Sequence, residues 1–101
     1  MKLVIVTAVK AFQKEVLQLF KEAKIESFSS SEIDGHKNAP SLLATSSWFP
    51  TVSGGNESAL FFSFTDEARI DTLFTLIEAF NSTLETYNPI KAVVVPIEKF
   101  I

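Results

Sequence analysis

Two apolar runs stand at opposite ends of the chain, Lys2-Leu3-Val4-Ile5-Val6-Thr7 and Ile90-Lys91-Ala92-Val93-Val94-Val95-Pro96-Ile97-Glu98. Short, near-continuous stretches of β-branched and aliphatic residues bounded by breakers read as strands that must be covered on at least one face. The first run, extending to Val9, reads as a central strand buried on both faces, or on one face and at a subunit contact. In the second, Pro96 marks the end of a strand or an edge, because proline cannot donate to a ladder. Two helical patterns and a middle pair of strands lie between these runs. The order predicts an α+β fold, a βαββαβ sandwich in which an antiparallel sheet carries two helices on one face.

Over 11–24, Phe12, Val16, Leu19, Phe20 and Ala23 recur at helical spacing, with Lys14, Glu15, Gln18, Lys21 and Glu22 opposite, which is an amphipathic helix covering a sheet. A second helix is predicted over 67–81, with Ile70, Leu73, Phe74, Ile77 and Phe80 facing the sheet. Thr65 or Asp66 caps it, and Glu67 suits its positive end. The middle strands are read at 25–34, with Phe28 and Ile33 as main apolar anchors and Gly35 as terminator, and at 58–65, where Leu60, Phe62 and Phe64 alternate on one face.

The segment 35–57 between those strands contains Pro40, Pro50, Gly54 and Gly55 and has no sustained period, the composition of a long loop. Connections longer than about 12–15 residues are uncommon inside a compact domain and are usually functional or disordered. Leu42, Leu43, Trp48 and Phe49 make it too apolar for a merely solvated linker. Trp48 and Phe49 read either as a partner-binding anchor or as aromatics packed over the sheet or against a neighbouring subunit.

The 101 residues make one domain, 1–101, and a core of this size makes further burial by oligomerisation favourable. A net charge of −3 with no basic cluster disfavours nucleic acid and anionic lipid as partners. Without cysteine there is no disulfide framework and no thiolate chemistry. The N-terminus lacks a signal-peptide pattern and no apolar run approaches a membrane span, so the expectation is a cytoplasmic protein with no direct membrane insertion. His36 is the only histidine, and no nucleophile and base stand out for catalysis, so the chain is not expected to be an enzyme. Near the mouth of the loop, His36 with Asp34 and Glu32 forms a plausible ligand set for a divalent metal; the alternative is a solvated loop histidine.

Three segments carry a family resemblance. Ile25-Glu26-Ser27-Phe28-Ser29-Ser30-Ser31-Glu32-Ile33-Asp34-Gly35 looks like the second-strand segment that leads into the T-loop of PII signalling proteins. Ser63-Phe64-Thr65-Asp66-Glu67-Ala68-Arg69-Ile70-Asp71 is similar to the start of their second helix, and Lys91-Ala92-Val93-Val94-Val95-Pro96-Ile97-Glu98 resembles their Lys-x-x-hydrophobe-x-Pro-hydrophobe-Glu ending. The chain thus resembles the PII and PII-like family, whose ferredoxin-like βαββαβ domains assemble as trimers. The resemblance implies a non-catalytic regulatory protein that senses a small ligand or metal. Its ligand site would lie in clefts between subunits near Gly35, His36, Lys37 and Lys91. Through the long loop it would bind a partner, either an enzyme or a membrane transporter, since some PII-like relatives are encoded beside heavy-metal efflux pumps.

The departures are also specific. Lys37 stands where the family places a second loop glycine, and Tyr87-Asn88-Pro89-Ile90 replaces the glycine-rich B-loop that cradles nucleotide phosphates. An ATP site of the PII kind is therefore not expected. Lys91 holds the place of the phosphate-contacting lysine, although it also reads as a surface lysine at a strand start. Two alternatives remain: a CutA-like divalent-metal-binding protein, which shares the trimeric ferredoxin-like architecture, and a structural trimer without ligand.

Overall fold

The first apolar run becomes the strand on which the sheet is built, because both of its alternating sides are apolar. A computed structural model describes residues 1–35, 56–84 and 88–101. In it β1 (Lys2–Val9) is followed by a turn of 3₁₀ helix (Lys10–Phe12), α1 (Gln13–Glu22), β2 (Ser29–Gly35), β3 (Asn56–Thr65), α2 (Glu67–Ser82) and β4 (Lys91–Pro96). The strands form one four-stranded sheet in the order β2-β3-β1-β4, and every neighbouring pair is antiparallel. This is the βαββαβ arrangement expected, with the topology of a ferredoxin-like fold. Among the described residues no helix is long and apolar enough to cross a membrane.

Val4, Val6 and Ala8 of β1 and Ala59 and Phe61 of β3 point to the same side of the sheet and are buried against Val16, Leu19 and Phe20 of α1 and Ile70, Leu73 and Ile77 of α2. Phe20 sits at the centre, its ring centroid 4.8 Å from that of Phe28 and 5.8 Å from that of Phe61. Fully burying an aliphatic or aromatic side chain contributes roughly 1.5–3 kcal/mol, so this face holds the fold together. Ser63, a buried hydroxyl on this face, is satisfied by donating to the carbonyl of Ser27 at 2.6 Å.

Several boundaries differ from those read in the sequence. The helix expected over 11–24 begins as a 3₁₀ turn and ends at Glu22. There Lys24 takes a left-handed conformation (φ 61°), Lys24 N–H donates to Lys21 C=O and Ile25 N–H donates to Phe20 C=O. This is a Schellman closure built on a lysine where glycine is usual. Ile25 and Phe28, assigned to a strand over 25–34, instead belong to the connection that follows; Ile25 is buried under the helix end, and the ladder starts only at Ser29. Asp66, not Thr65, caps α2, its carboxylate accepting from Arg69 N–H at 2.9 Å and pairing with the Arg69 guanidinium. Arg69 Nε in turn donates to the Lys24 carbonyl at 3.1 Å, so the start of α2 is tied to the end of α1.

Leu60, Phe62 and Phe64 share a face as expected, but it is the face away from the helices. The core side of β3 is Ala59, Phe61 and Ser63. At the other end of the hairpin the ladder runs further than the sequence indicates: Gly35 pairs with Asn56 and Asp34 with Glu57, so the termini of the segment read as loop 35–57 are strand.

Candidate functional site

The residues at the root of that segment are placed by the β2–β3 register. Asp34 lies opposite Glu57, and Glu32 opposite Ala59, so the three carboxylates project on the helix-bearing side at one end of the sheet. Lys10, just beyond β1, reaches the same spot: its Nζ is 3.1 Å from Glu32 Oε1 and 3.9 Å from Glu57 Oε2. The hydrogen bond that Lys10 donates to Glu32, reinforced by the charges of Glu32 and Glu57, raises the ammonium pKa above its ordinary 10.5. These groups line an open hollow of about 260 Å³ together with Ile33, Asp34 and Ser58. Lys10 neutralises part of a repulsion that two acids directly opposite on one face would otherwise impose on the hairpin root.

Glu32 and Asp34, read as metal ligands, do share a face, but Glu32 already carries the Lys10 ion pair. Among the described residues no three histidine, cysteine, aspartate or glutamate side chains are arranged to hold a metal ion. His36, Lys37, Trp48 and Phe49 lie outside the described residues.

Lys91 is elsewhere. It opens β4 opposite Thr7, which is itself opposite Leu60 and, across the next strand, Ser31. Gly35 is therefore on the far edge of the sheet and further along it. Three strand spacings of about 4.8 Å and four residue rises of about 3.4 Å put the two roughly 20 Å apart within one chain. The expected ligand residues Gly35 and Lys91 are not brought together by one copy of the fold.

What positions Lys91 is a side chain the sequence does not single out. Asn81, near the end of α2, donates from Nδ2 to Ile90 C=O and accepts at Oδ1 from Ile90 N–H, both at 2.9 Å. This paired bond takes over the ladder's role one residue before β4 begins. It holds the chain entering Lys91 against the helix, and Ile90 itself is buried.

The face of the sheet opposite the helices is a second unexpected feature. Rows run across it as Val95–Leu3–Phe64 and Val93–Ile5–Phe62. Phe64 is 55% exposed and Val93 and Val95 are 38% and 40% exposed, while Leu3, Ile5 and Phe62 are half-buried. The Phe62 and Phe64 rings meet edge to face at 6.2 Å. A contiguous apolar surface of this kind marks an interaction site more often than a bare exterior. The signal in the sequence was the apolar character of both sides of β1.

No family model and no curated protein matches the chain. Solved structures do match over nearly its whole length. A DUF3240 family protein from Shewanella baltica superposes with a TM-score of 0.67 at 17% identity, covering 98% of this chain and 91% of that one. CPII, a nitrogen regulatory PII-like protein from Thiomonas intermedia bound to ADP, AMP and bicarbonate, superposes with a TM-score of 0.62 at 10% identity, covering 99% of this chain and 94% of that one. At these identities the likeness is one of fold: the chain has the PII-like architecture.

Proposed function

We propose that the protein is a non-catalytic PII-like regulator that works as a trimer, sensing a small ligand or metal in clefts between copies and binding a partner through the segment 36–55. The observation that carries this reading is the separation of Gly35 from Lys91. They stand on opposite edges of one sheet, so residues matching the family's ligand cleft can meet only where two copies adjoin. The apolar sheet face opposite the helices supports association, since among the described residues Phe64, Val93 and Val95 stay exposed on it.

In this scheme a ligand held between Lys91 of one copy and Gly35, His36 and Lys37 of the next governs whether Trp48 and Phe49 engage the partner. The partner is an enzyme or a transporter of the heavy-metal efflux type. The glycines that would bring backbone amides to nucleotide phosphates are replaced by Tyr87-Asn88-Pro89, so the ligand is a smaller anion or a divalent metal rather than ATP.

Native mass spectrometry during titration with divalent metals, adenine nucleotides and bicarbonate tests the reading. The expected result is a mass three times the 11.2 kDa chain with a stoichiometric adduct. A bare monomer across the panel refutes it. If a metal is the adduct and His36→Ala abolishes it while no partner is captured, the CutA-like alternative holds instead; Glu32 and Asp34, aligned on one face just before His36, are the observation in its favour.

A further inference from the structure

Successive side chains of a strand alternate between faces, so the register sorts the described strand residues into two sets. Lys2, Glu32, Asp34 and Glu57 fall on the face that bears the helices. On the opposite face Lys91 is the one charged residue among the described residues of the strands, and it makes no ion pair with any described residue.

Directly across the ladder from Lys91 stands Thr7, and such cross-strand neighbours hold their Cβ atoms about 4.5–5.5 Å apart. Thr7 is out of character with its strand. It follows Leu3-Val4-Ile5-Val6 and is only 4% exposed, yet its hydroxyl makes no hydrogen bond to another described residue. The oxygen is not sealed in, because among the described residues no fully enclosed side-chain nitrogen or oxygen lacks a partner. It therefore opens onto the face it shares with Lys91. Burying a hydroxyl without a partner costs free energy that valine, of nearly the same shape, would not.

We infer that Thr7 and Lys91 together hold one small oxyanion on this face, Lys91 supplying the charge and Thr7 a hydrogen bond from its hydroxyl. This rests on the reading of Lys91 as a ligand residue and narrows its ligand from anion or metal to an anion. An ammonium offers three donors and no acceptor, and a hydroxyl turns its proton toward an acceptor, so the pair suits an anion and disfavours a metal ion. The strand carboxylates Glu32, Asp34 and Glu57 project on the other face and do not compete for Lys91. Val93 and Ile5 form the adjacent row, and apolar neighbours strengthen a charge-assisted hydrogen bond by lowering the local dielectric. The span of one cross-strand pair fits a carboxylate, bicarbonate or a single phosphate group rather than a chain of phosphates.

The test is isothermal titration calorimetry of the full chain with bicarbonate, inorganic phosphate and acetate in separate runs at one ionic strength, which also shows which oxyanion the site takes. Thr7→Val deletes the hydroxyl and keeps the shape. A hydrogen bond to a charged group is strong enough that the expected loss of affinity is about tenfold or more. The Tm of Thr7→Val should be unchanged or raised, Thr7→Ser should retain most of the affinity, and Lys91→Met should abolish binding. Full affinity in Thr7→Val overturns the role of Thr7 even where Lys91→Met loses the anion. A Tm of Thr7→Val lower by more than about 4 °C shows that the hydroxyl serves the fold, and overturns it as well. If wild type takes up none of the three anions the site is wrong, while a native mass of three chains with a metal adduct leaves the regulator reading in place. A single-chain mass that carries the anion leaves this site standing and removes the cleft between copies.

Discussion

The Asn81 clamp gives the sharpest test of how the fold delivers Lys91. Asn81→Ala removes two hydrogen bonds, each 2.9 Å long, and leaves the Ile90 N–H and C=O without those partners. Ile90 is only 2% exposed, so water re-satisfies its backbone poorly. A net hydrogen bond contributes about 1 kcal/mol, and a buried group left unmade costs about 1–3 kcal/mol, so losing both from a half-buried site costs about 2 kcal/mol. For a domain of about 100 residues, with roughly 4–8 °C of Tm per kcal/mol, the expected fall is about 10 °C.

The measurement is thermal unfolding followed by circular dichroism at one fixed chain concentration, because association makes Tm concentration-dependent. Asn81→Asp is the companion variant. Its carboxylate still accepts from Ile90 N–H but faces Ile90 C=O with an acceptor where a donor was, so it falls below wild type as well. A Tm within about 2 °C of wild type for both variants refutes the reasoning, since water or a shifted ladder would then be replacing the clamp. Hydrogen exchange separates a local from a global effect: the Ile90 amide should lose protection in Asn81→Ala under conditions in which the buried amides of Val4 and Val6 keep theirs.

Lys24→Gly relieves the left-handed strain, about 1 kcal/mol, but loosens the unfolded chain by about half of that or more; the expected outcome is a Tm rise of a few degrees, read by the same melts. The Asp66 carboxyl is held below its ordinary 3.8, first by the Arg69 backbone N–H, so its contribution is present above that value and is lost as pH falls through the lower, folded pKa. The Tm gap between wild type and Asp66→Ala should be full at neutral pH and should close at the acid end of a pH series. Lys10→Gln should leave the global melt nearly unchanged, because exposed pairs are screened, yet speed amide exchange at Glu32 and Glu57; in wild type the clamp persists through neutral pH and is lost only as pH rises through the raised lysine pKa. Phe64→Glu places a charge on the apolar sheet face, and native mass spectrometry should show one chain with an unchanged circular-dichroism spectrum; a retained trimer would remove that face from the interface.

Element order was legible because periodicity changes cleanly along the chain: both sides of β1 are apolar, α1 carries a stripe at Val16, Leu19 and Phe20, and α2 repeats one at Ile70, Leu73 and Ile77. Ends were less so. No glycine announces the end of α1, since Lys24 performs the left-handed turn, and the pattern ran on to it. Ile25 and Phe28 are apolar for the sake of the core under the helix end, a reason that looks like a strand in one dimension. In Leu60-Phe61-Phe62-Ser63-Phe64 both alternating sides are apolar, and weight of aromatics points to the wrong one; only the position of the helices decides that Phe61 is inside. At the candidate site, Glu32 and Asp34 were visible as chemistry. Lys10 and Asn81 were not, because their partners are set by register and by packing rather than by proximity in sequence.

The same distinction explains why the cleft residues invite misreading as a single-chain site. Chain order puts Gly35 at the end of β2 and Lys91 at the start of β4, and nothing in that order says that β3 and β1 come between them. Once the strand order is known, the distance between Gly35 and Lys91 becomes an argument about assembly. In the proposed trimer one copy would supply Lys91 and the next Gly35, which a single chain holds apart on opposite edges of the sheet. A ligand at such a seam would contact two chains at once, so its affinity should fall with dilution of the protein as well as of the ligand. That coupling can be read by repeating the native titration at successively lower chain concentrations. Binding that stays stoichiometric in a fully dissociated population would place the site within one chain and sever Lys91 from Gly35.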